Sequence, residues 1–293
     1  MMKDTFSNMH PFINFIFFAL TIGFTMFIMN PVCLAVSFLC ALVTALYLNG
    51  KKAVRLSLVF LLPMILLIVL INPVFNHEGM TILTYFPWDN PLTLESIVYG
   101  IASAFLLSST VLWFSSFNAV ITSDKVVFLF GRIMPSLSLV ISMALRFVPR
   151  FSAQMKLVRN AQHTIGRDIN EGTLFQRIRN AVKILSIMIT WSLENAIETA
   201  DSMKSRGHGL KGRTSYSLYK FDKRDAFMLC TILFTGLVLM ILLFTNAIKF
   251  RYYPSIKGDL FTVQSVIFYI FYTFLMLIPL SVNIGAVSYT HLT

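Results

Sequence analysis

Glu194, Glu198 and Asp201 follow steps of four and three residues, a spacing that puts three carboxylates on one face of a helix. Such a row could do general acid–base work on a lipid at a membrane interface, with Asp168 and Glu171 as further acids of the same region. The plainer use of acids on a helix rich in Lys and Arg is pairing with those neighbours. The five histidines, His10, His77, His163, His208 and His291, show no paired helical spacing around a Glu. Cys33, Cys40 and Cys230 each fall in an apolar stretch and read as small core hydrophobes. No Gly-x-x-x-x-Gly-Lys-Ser/Thr loop is present to cradle nucleotide phosphates. The sequence therefore predicts no catalytic residue, no metal site and no cofactor, and ATP, if used, must be hydrolysed by a partner.

Binding chemistry is better represented. In Ala200-Asp201-Ser202-Met203-Lys204-Ser205-Arg206-Gly207 a glycine follows a long helical pattern, where it closes a helix by adopting the left-handed conformation. Arg206, one residue earlier, complements the helix dipole and also stands at the tip of a stiff mount. A guanidinium so placed can make bidentate hydrogen bonds to carboxylates in an acidic groove of a partner. The two roles are compatible.

The elements that carry this tip are amphipathic. From Arg146, Phe147, Phe151, Met155, Val158 and Ile165 form an apolar stripe, with Arg150, Lys156 and Arg159 on other faces. A turn over 166–173 separates this helix from a second, about Leu174 to Ser205, whose stripe is Ile178, Val182, Leu185, Ile189, Leu193, Ala196, Ala200 and Met203. At 1.5 Å per residue the second helix is roughly 45 Å long. Its middle, Ile184 to Trp191, is apolar almost all round and is expected to be covered on more than one side, by the first helix and by membrane-facing helices.

The rest of the chain belongs in a bilayer. Of 293 residues 56% are hydrophobic and only 13% charged, more apolar surface than a soluble domain of this length can bury. A hydrocarbon core of about 30 Å needs roughly 20 apolar helical residues. Spans are expected near Phe12 to Met29, Val32 to Leu48, Leu56 to Ile71, Ile97 to Ile121, Phe227 to Ala247 and Phe261 to Ile284. The first two are divided by Asn30-Pro31, as a hairpin or with one of them re-entrant. Val126 to Ala144, broken by Gly131, Arg132 and Pro135, is too interrupted for a confident span. Lys51, Lys52 and Arg55 mark a cytoplasmic loop, and Tyr85, Phe86 and Trp88 suit interfacial anchors in an outer loop.

Charge sets the orientation. Fifteen of the 24 Lys and Arg residues, against six of the 13 Asp and Glu, lie from Arg146 to Arg224, a net +9 that places this segment in the cytoplasm. Topology thus accounts for the basic balance, and no nucleic-acid partner is expected. Lys249, Arg251 and Lys257 fall outside under this topology, in breach of the same rule. The spans hold essentially no central charge, which argues against an ion-coupled carrier.

From about Pro135 to Arg224 the chain resembles the transmembrane coupling subunit, or T component, of energy-coupling factor (ECF) transporters. The residues that carry the likeness are Ala144-Leu145-Arg146-Phe147-Val148-Pro149, then Ala161-Gln162 with Gly166, then Ala200-x-x-Met203-x-x-Arg206-Gly207. The resemblance implies two cytoplasmic coupling helices, each ending in a short Arg motif that docks on one of two cytoplasmic ATP-binding subunits, and a separate membrane-embedded, substrate-binding S component. It assigns docking to Gln162, Thr164, Ile165 and Gly166 at the first tip and to Ala200, Met203, Ser205, Arg206 and Gly207 at the second. Arg146 and Pro149 would shape the bend where a membrane helix meets the cytoplasmic platform. One departure is specific: Ile165 stands where the family commonly has Arg, and Arg167 is displaced by two positions.

The reading is thus an all-α polytopic membrane protein of the cell membrane, with about six transmembrane helices and long amphipathic cytoplasmic coupling helices. Its expected regions are 1–145 in the membrane, 146–224 as coupling helices, 225–287 in the membrane, and 288–293 as a non-native tail. It is not an enzyme; its partners are the bilayer, the two ATPases and the S component, and the cargo is a vitamin or a metal ion. The alternatives are a conventional ABC permease, which would carry a single short coupling loop with a Glu-Ala-Ala motif that is absent here, and the lipid-modifying enzyme of the carboxylate row.

Overall fold

A computed structural model describes residues 5–85, 90–131, 134–167, 172–210 and 219–292. The all-α expectation holds: ten α-helices and one π-helical turn are joined by two small two-stranded hairpins among the described residues. The chain divides into two compact units, Met1–Thr122 with Tyr219–Thr293, and Ser123–Leu218.

The first unit holds most of the membrane-like helices. α1 (Pro11–Phe27) and α2 (Pro31–Asn49) each place proline at the first turn, where its missing N–H costs nothing. Their N-caps are His10, whose Nδ1 accepts the Phe12 N–H at 3.3 Å, and Asn30, whose Oδ1 accepts the Val32 N–H at 3.0 Å. The Asn30-Pro31 break therefore separates two distinct helices. Gly50, at φ 52°, turns the chain after α2 in a single residue. Lys51, Lys52 and Arg55 consequently lie in α3 (Lys51–Leu56) and not in the expected loop. α3 runs through a π-helical turn (Ser57–Leu61) into α4 (Leu62–Phe75). β1 (Ile82–Tyr85) pairs antiparallel with β2 (Pro91–Thr93), which leads into α5 (Leu94–Val120). Glu95 fastens that corner by accepting the backbone N–H and hydroxyl of Thr81. Of the expected aromatic anchors, Tyr85 is exposed, while Phe86 and Trp88 lie outside the described residues.

The core of this unit is aromatic. Trp113 of α5 is fully buried with Phe17 and Phe18 edge-on against it at 6.1 and 6.3 Å. Its indole N–H donates to the Ser37 hydroxyl of α2 at 3.1 Å, and Ser37 lies 2.9 Å from the Thr25 hydroxyl of α1. Because Thr25 already donates to the Thr21 carbonyl at 2.8 Å, Ser37 is the donor to Thr25. Three helices are thus pinned by one satisfied polar chain in a setting where an orphaned group would be costly. α9 (Lys223–Phe244) and α10 (Val263–Leu292) complete the unit, joined through β3 (Phe250–Arg251) and β4 (Lys257–Gly258). Cys33 and Cys40 are buried as expected, whereas Cys230 is exposed on α9.

The second unit contains α6 (Ser123–Gly131), α7 (Pro135–Thr164) and α8 (Leu174–Ser205). The Ser138 hydroxyl donates to the Val127 carbonyl at 3.0 Å and sits where a Cβ on Gly131 would intrude, at 2.8 Å, so a larger residue there would displace that hydroxyl. Arg132 lies outside the described residues. α7 is one helix of 30 residues that passes through Arg146 without a break. The change in charge at 146 is a change of surface, not of secondary structure, and the compact unit begins earlier, at Ser123.

Among the described residues six helices are long and apolar enough to cross a membrane: Pro31–Asn49, Lys51–Phe75, Leu94–Val120, Ser136–Thr164, Lys223–Phe244 and Val263–Gly285. The number matches the expectation and the membership differs. α1, at 17 residues, is the shorter apolar helix, and the sixth is Ser136–Thr164 of α7, which joins the end of the interrupted segment, 136–144, to the amphipathic stretch that starts at Arg146.

Candidate docking site

α7 and α8 end alike. In α7 the helix stops at Thr164, Ile165 is the C-cap, and Gly166 follows at φ 74°. In α8 it stops at Ser205, Arg206 is the C-cap, and Gly207 follows at φ 74°. The hydrogen bonds coincide as well. Gly166 N–H donates to the His163 carbonyl at 2.9 Å and Arg167 N–H to the Gln162 carbonyl at 2.9 Å; Gly207 N–H donates to Lys204 at 2.9 Å and His208 N–H to Met203 at 3.0 Å. Both sets are the paired closing bonds of a Schellman ending, which satisfy the last carbonyls and require a left-handed residue at the glycine.

Aligned on the two glycines, Gln162 matches Met203, Thr164 matches Ser205 and Ile165 matches Arg206. Gln162 and Met203 are half-buried, with their carbonyls closing the motif. Thr164 and Ser205 turn their hydroxyls back to helix carbonyls, Asn160 at 3.0 Å and Ser202 at 2.9 Å. Ile165 and Arg206 are exposed, as is Ala200 one turn and a half before the second tip. The Ile165 position is therefore the structural counterpart of Arg206, and Arg167 lies beyond the glycine. The glycines differ in one respect: a Cβ on Gly207 would meet Leu210 Cδ1 at 3.0 Å, whereas Gly166 faces open space.

Arg146 and Pro149 sit on exposed positions of α7. Pro149 lies inside the helix and cannot give the Leu145 carbonyl its usual N–H, the standard local cause of a bend. Beside them lies a cluster that sequence reasoning missed. Phe147 stacks on Trp191 of α8 at 5.7 Å and 25°, Phe151 is tilted against it at 6.5 Å, and the Arg150 guanidinium lies 5.9 Å from the ring centre. The signal was available, since Trp191 is the one tryptophan of the basic segment.

The stack settles which face of α8 is covered. Ile184 and Met188 are buried, Asn195 is 9% exposed and Trp191 is half-buried, a repeat of four, three and four residues. The stripe expected to pack is instead open: Ile178, Val182, Leu185, Ile189 and Leu193 are 52–63% exposed, and Ala196 is exposed too. Of the α7 stripe Phe147, Phe151, Met155 and Val158 are half-buried, while its last member, Ile165, is exposed.

Glu194, Glu198 and Asp201 are exposed along α8, and Asp168 and Glu171 lie outside the described residues. Among the described residues no three His, Cys, Asp or Glu side chains are grouped to hold a metal ion.

Two helix endings of one form thus stand on the two long helices of the second unit. The CbiQ family model, described as cobalt transport protein, matches residues 3–216, which includes both tips. The chain belongs to the CbiQ family. It is also similar to the energy-coupling factor transporter transmembrane protein EcfT of Lactobacillus helveticus, with 41% identity over 106 residues, 36% of this chain and 38% of that protein. The EcfT of Streptococcus thermophilus is 33% identical over 138 residues, 47% of this chain and 52% of that protein. That of Exiguobacterium sibiricum is 26% identical over 208 residues, 66% of this chain and 78% of that protein. The chain spans between two fifths and about half of the length of the first two relatives. CbiQ membership makes it a multi-pass membrane protein of a transport family and not an enzyme.

Proposed function

We propose that this CbiQ-family chain is the transmembrane coupling component of an ECF-type importer, in which two cytoplasmic ATP-binding subunits each receive one of the two helix tips. The observation that carries this reading is the shared ending of α7 and α8, because two equal mounts on two helices suit two related partner grooves. The net +9 of the segment from Arg146 to Arg224 supports a cytoplasmic position for both. The tips are not equal in chemistry. Arg206 suits a groove with carboxylates, while Ile165 suits an apolar one, so the partners meet non-identical contacts.

The exposed stripe from Ile178 to Ile197 is the surface assigned to the membrane S component. It extends about 28 Å along α8, and its members are exposed aliphatic side chains. Burying each such side chain contributes on the order of 1.5–3 kcal/mol, and apolar contacts without fixed polar partners tolerate sliding. When the ATPases close, the tips would move with them, and the α7–α8 aromatic stack would carry that movement to the stripe. The cargo, a vitamin or a metal ion, follows from the S component and not from this chain.

Affinity copurification from native membranes tests the assignment. Recovery of ATP-binding subunits together with a small membrane protein supports it; an intact chain that brings down no ATP-binding subunit refutes it.

A further inference from the structure

The three outer cations that break the topology rule lie together in the first unit. Lys249, Arg251 and Lys257 line an open cleft of about 730 Å³ with Asn246, Gly258 and Asp259, between the end of α9 and the start of α10. All three cations are exposed, and they outnumber the one carboxylate of the cleft lining, Asp259. α9 begins at Lys223 and Arg224 and is 22 residues long. The cleft is therefore about 33 Å from those residues along the helix, at the other end of a membrane-length span. Cations at both ends of one span oppose the usual charge asymmetry.

We infer that this cleft binds the phosphate-bearing headgroup of an anionic phospholipid. The scaffold is built and not a loose loop. Tyr252, between Arg251 and the following turn, is 5% exposed and donates its hydroxyl to the Met29 carbonyl at 2.9 Å. Ser265 of α10 is buried and donates to the Ala247 carbonyl at 2.8 Å, which fixes the loop at both ends. The strands come so close that a Cβ on Gly258 would lie 2.6 Å from the Phe250 ring and 2.7 Å from the Lys249 carbonyl oxygen. The pair thus holds Arg251 opposite Lys257 in register.

A lipid, and not a free anion, is favoured by what surrounds the charges. Phe244 ends α9 at 81% exposure, and Phe261, also 81% exposed, precedes α10. These rings stand at the same end of the helices as the cations, so one molecule with a phosphate and acyl chains satisfies both. The guanidinium of Arg251 can bind phosphate oxygens bidentately, with the two ammonium groups adding charge.

The test uses the full chain purified in detergent, with lipid retention measured by native mass spectrometry. Phosphatidylglycerol is titrated against phosphatidylcholine, for the wild type and for Lys249→Gln/Arg251→Gln/Lys257→Gln. Phosphatidylglycerol is expected to bind the wild type more tightly, with affinity falling about fivefold per cation removed, and Arg251→Lys is expected to keep most of it. Helix content and melting temperature identify any misfolded variant, and the single changes Lys249→Gln and Lys257→Gln then carry the measurement. Equal retention of both lipids overturns the inference. So does an equal loss on Lys220→Gln/Lys223→Gln/Arg224→Gln, which removes cations at the opposite end of α9. Displacement of phosphatidylglycerol by excess inorganic phosphate overturns the lipid assignment in favour of a free-phosphate site.

Discussion

Ile165 and Arg206 hold the same place in two helix endings built alike. Each is the exposed C-cap, each precedes a glycine at φ 74°, and each is followed by the same pair of closing hydrogen bonds. A branched aliphatic chain and a guanidinium are thus presented by equivalent backbones, so any difference in what the two tips bind comes from the side chains.

The glycines separate backbone strain from steric fit. Gly166→Ala places a methyl in open space and incurs only the cost of the left-handed conformation, about 1–2 kcal/mol. Gly207→Ala has that cost and in addition drives a Cβ to within 3.0 Å of Leu210. Hydrogen exchange at the two helix ends is expected to rise in both variants and to rise more at α8.

Trp191→Ala should loosen α8 from α7, because it removes the stack on Phe147, the contact with Phe151 and the ring beneath Arg150. Trp191 is half-buried, so the loss is expected to be about 2 kcal/mol, below the 3–5 kcal/mol of a fully buried ring. Thermal unfolding in detergent measures it, and Trp191→Phe should restore most of the stability.

Much of this arrangement is legible in the sequence because it depends on local rules. Pro31 marks a helix boundary by what its backbone permits, and Gly166 and Gly207 mark the tips in the same way. The hidden part depends on rotation and on continuity. Two apolar stripes run along α8, and periodicity alone does not say that the one through Ile184, Met188 and Trp191 is covered while the one through Ile178 and Leu193 is open. The covered face is the one that carries the aromatic stack, between residues 44 positions apart on two successive helices. Likewise the charge that begins at Arg146 resembles a domain edge, yet backbone hydrogen bonding continues through it and only the side chains change.

His10 supplies a pH dependence. Burial lowers its pKa below 6.5, and the nearby Asp225 carboxylate opposes the shift without cancelling it. With a folded pKa below the unfolded one, the unfolded chain takes up the proton first as pH falls. The contribution of His10 to stability is therefore fully present above 6.5 and is lost as pH falls from 6.5 toward the lowered value. Its Nδ1, which accepts the Phe12 N–H at the start of α1, is the atom at stake. His10→Gln should flatten the melting temperature across that window, and an unchanged slope would assign the dependence to another group.

The most direct test of coupling through the tips compares ATPase copurification for the wild type, Arg206→Glu and Ile165→Glu under one set of conditions. Reversing a charge that meets carboxylates removes on the order of 2–5 kcal/mol of binding, at least about thirtyfold in affinity, so Arg206→Glu should lose the ATP-binding subunit at its tip while the chain stays folded in the membrane. Ile165→Glu should weaken the other subunit by burying a charge in an apolar groove. Full recovery of both ATP-binding subunits with both variants would contradict docking through these tips.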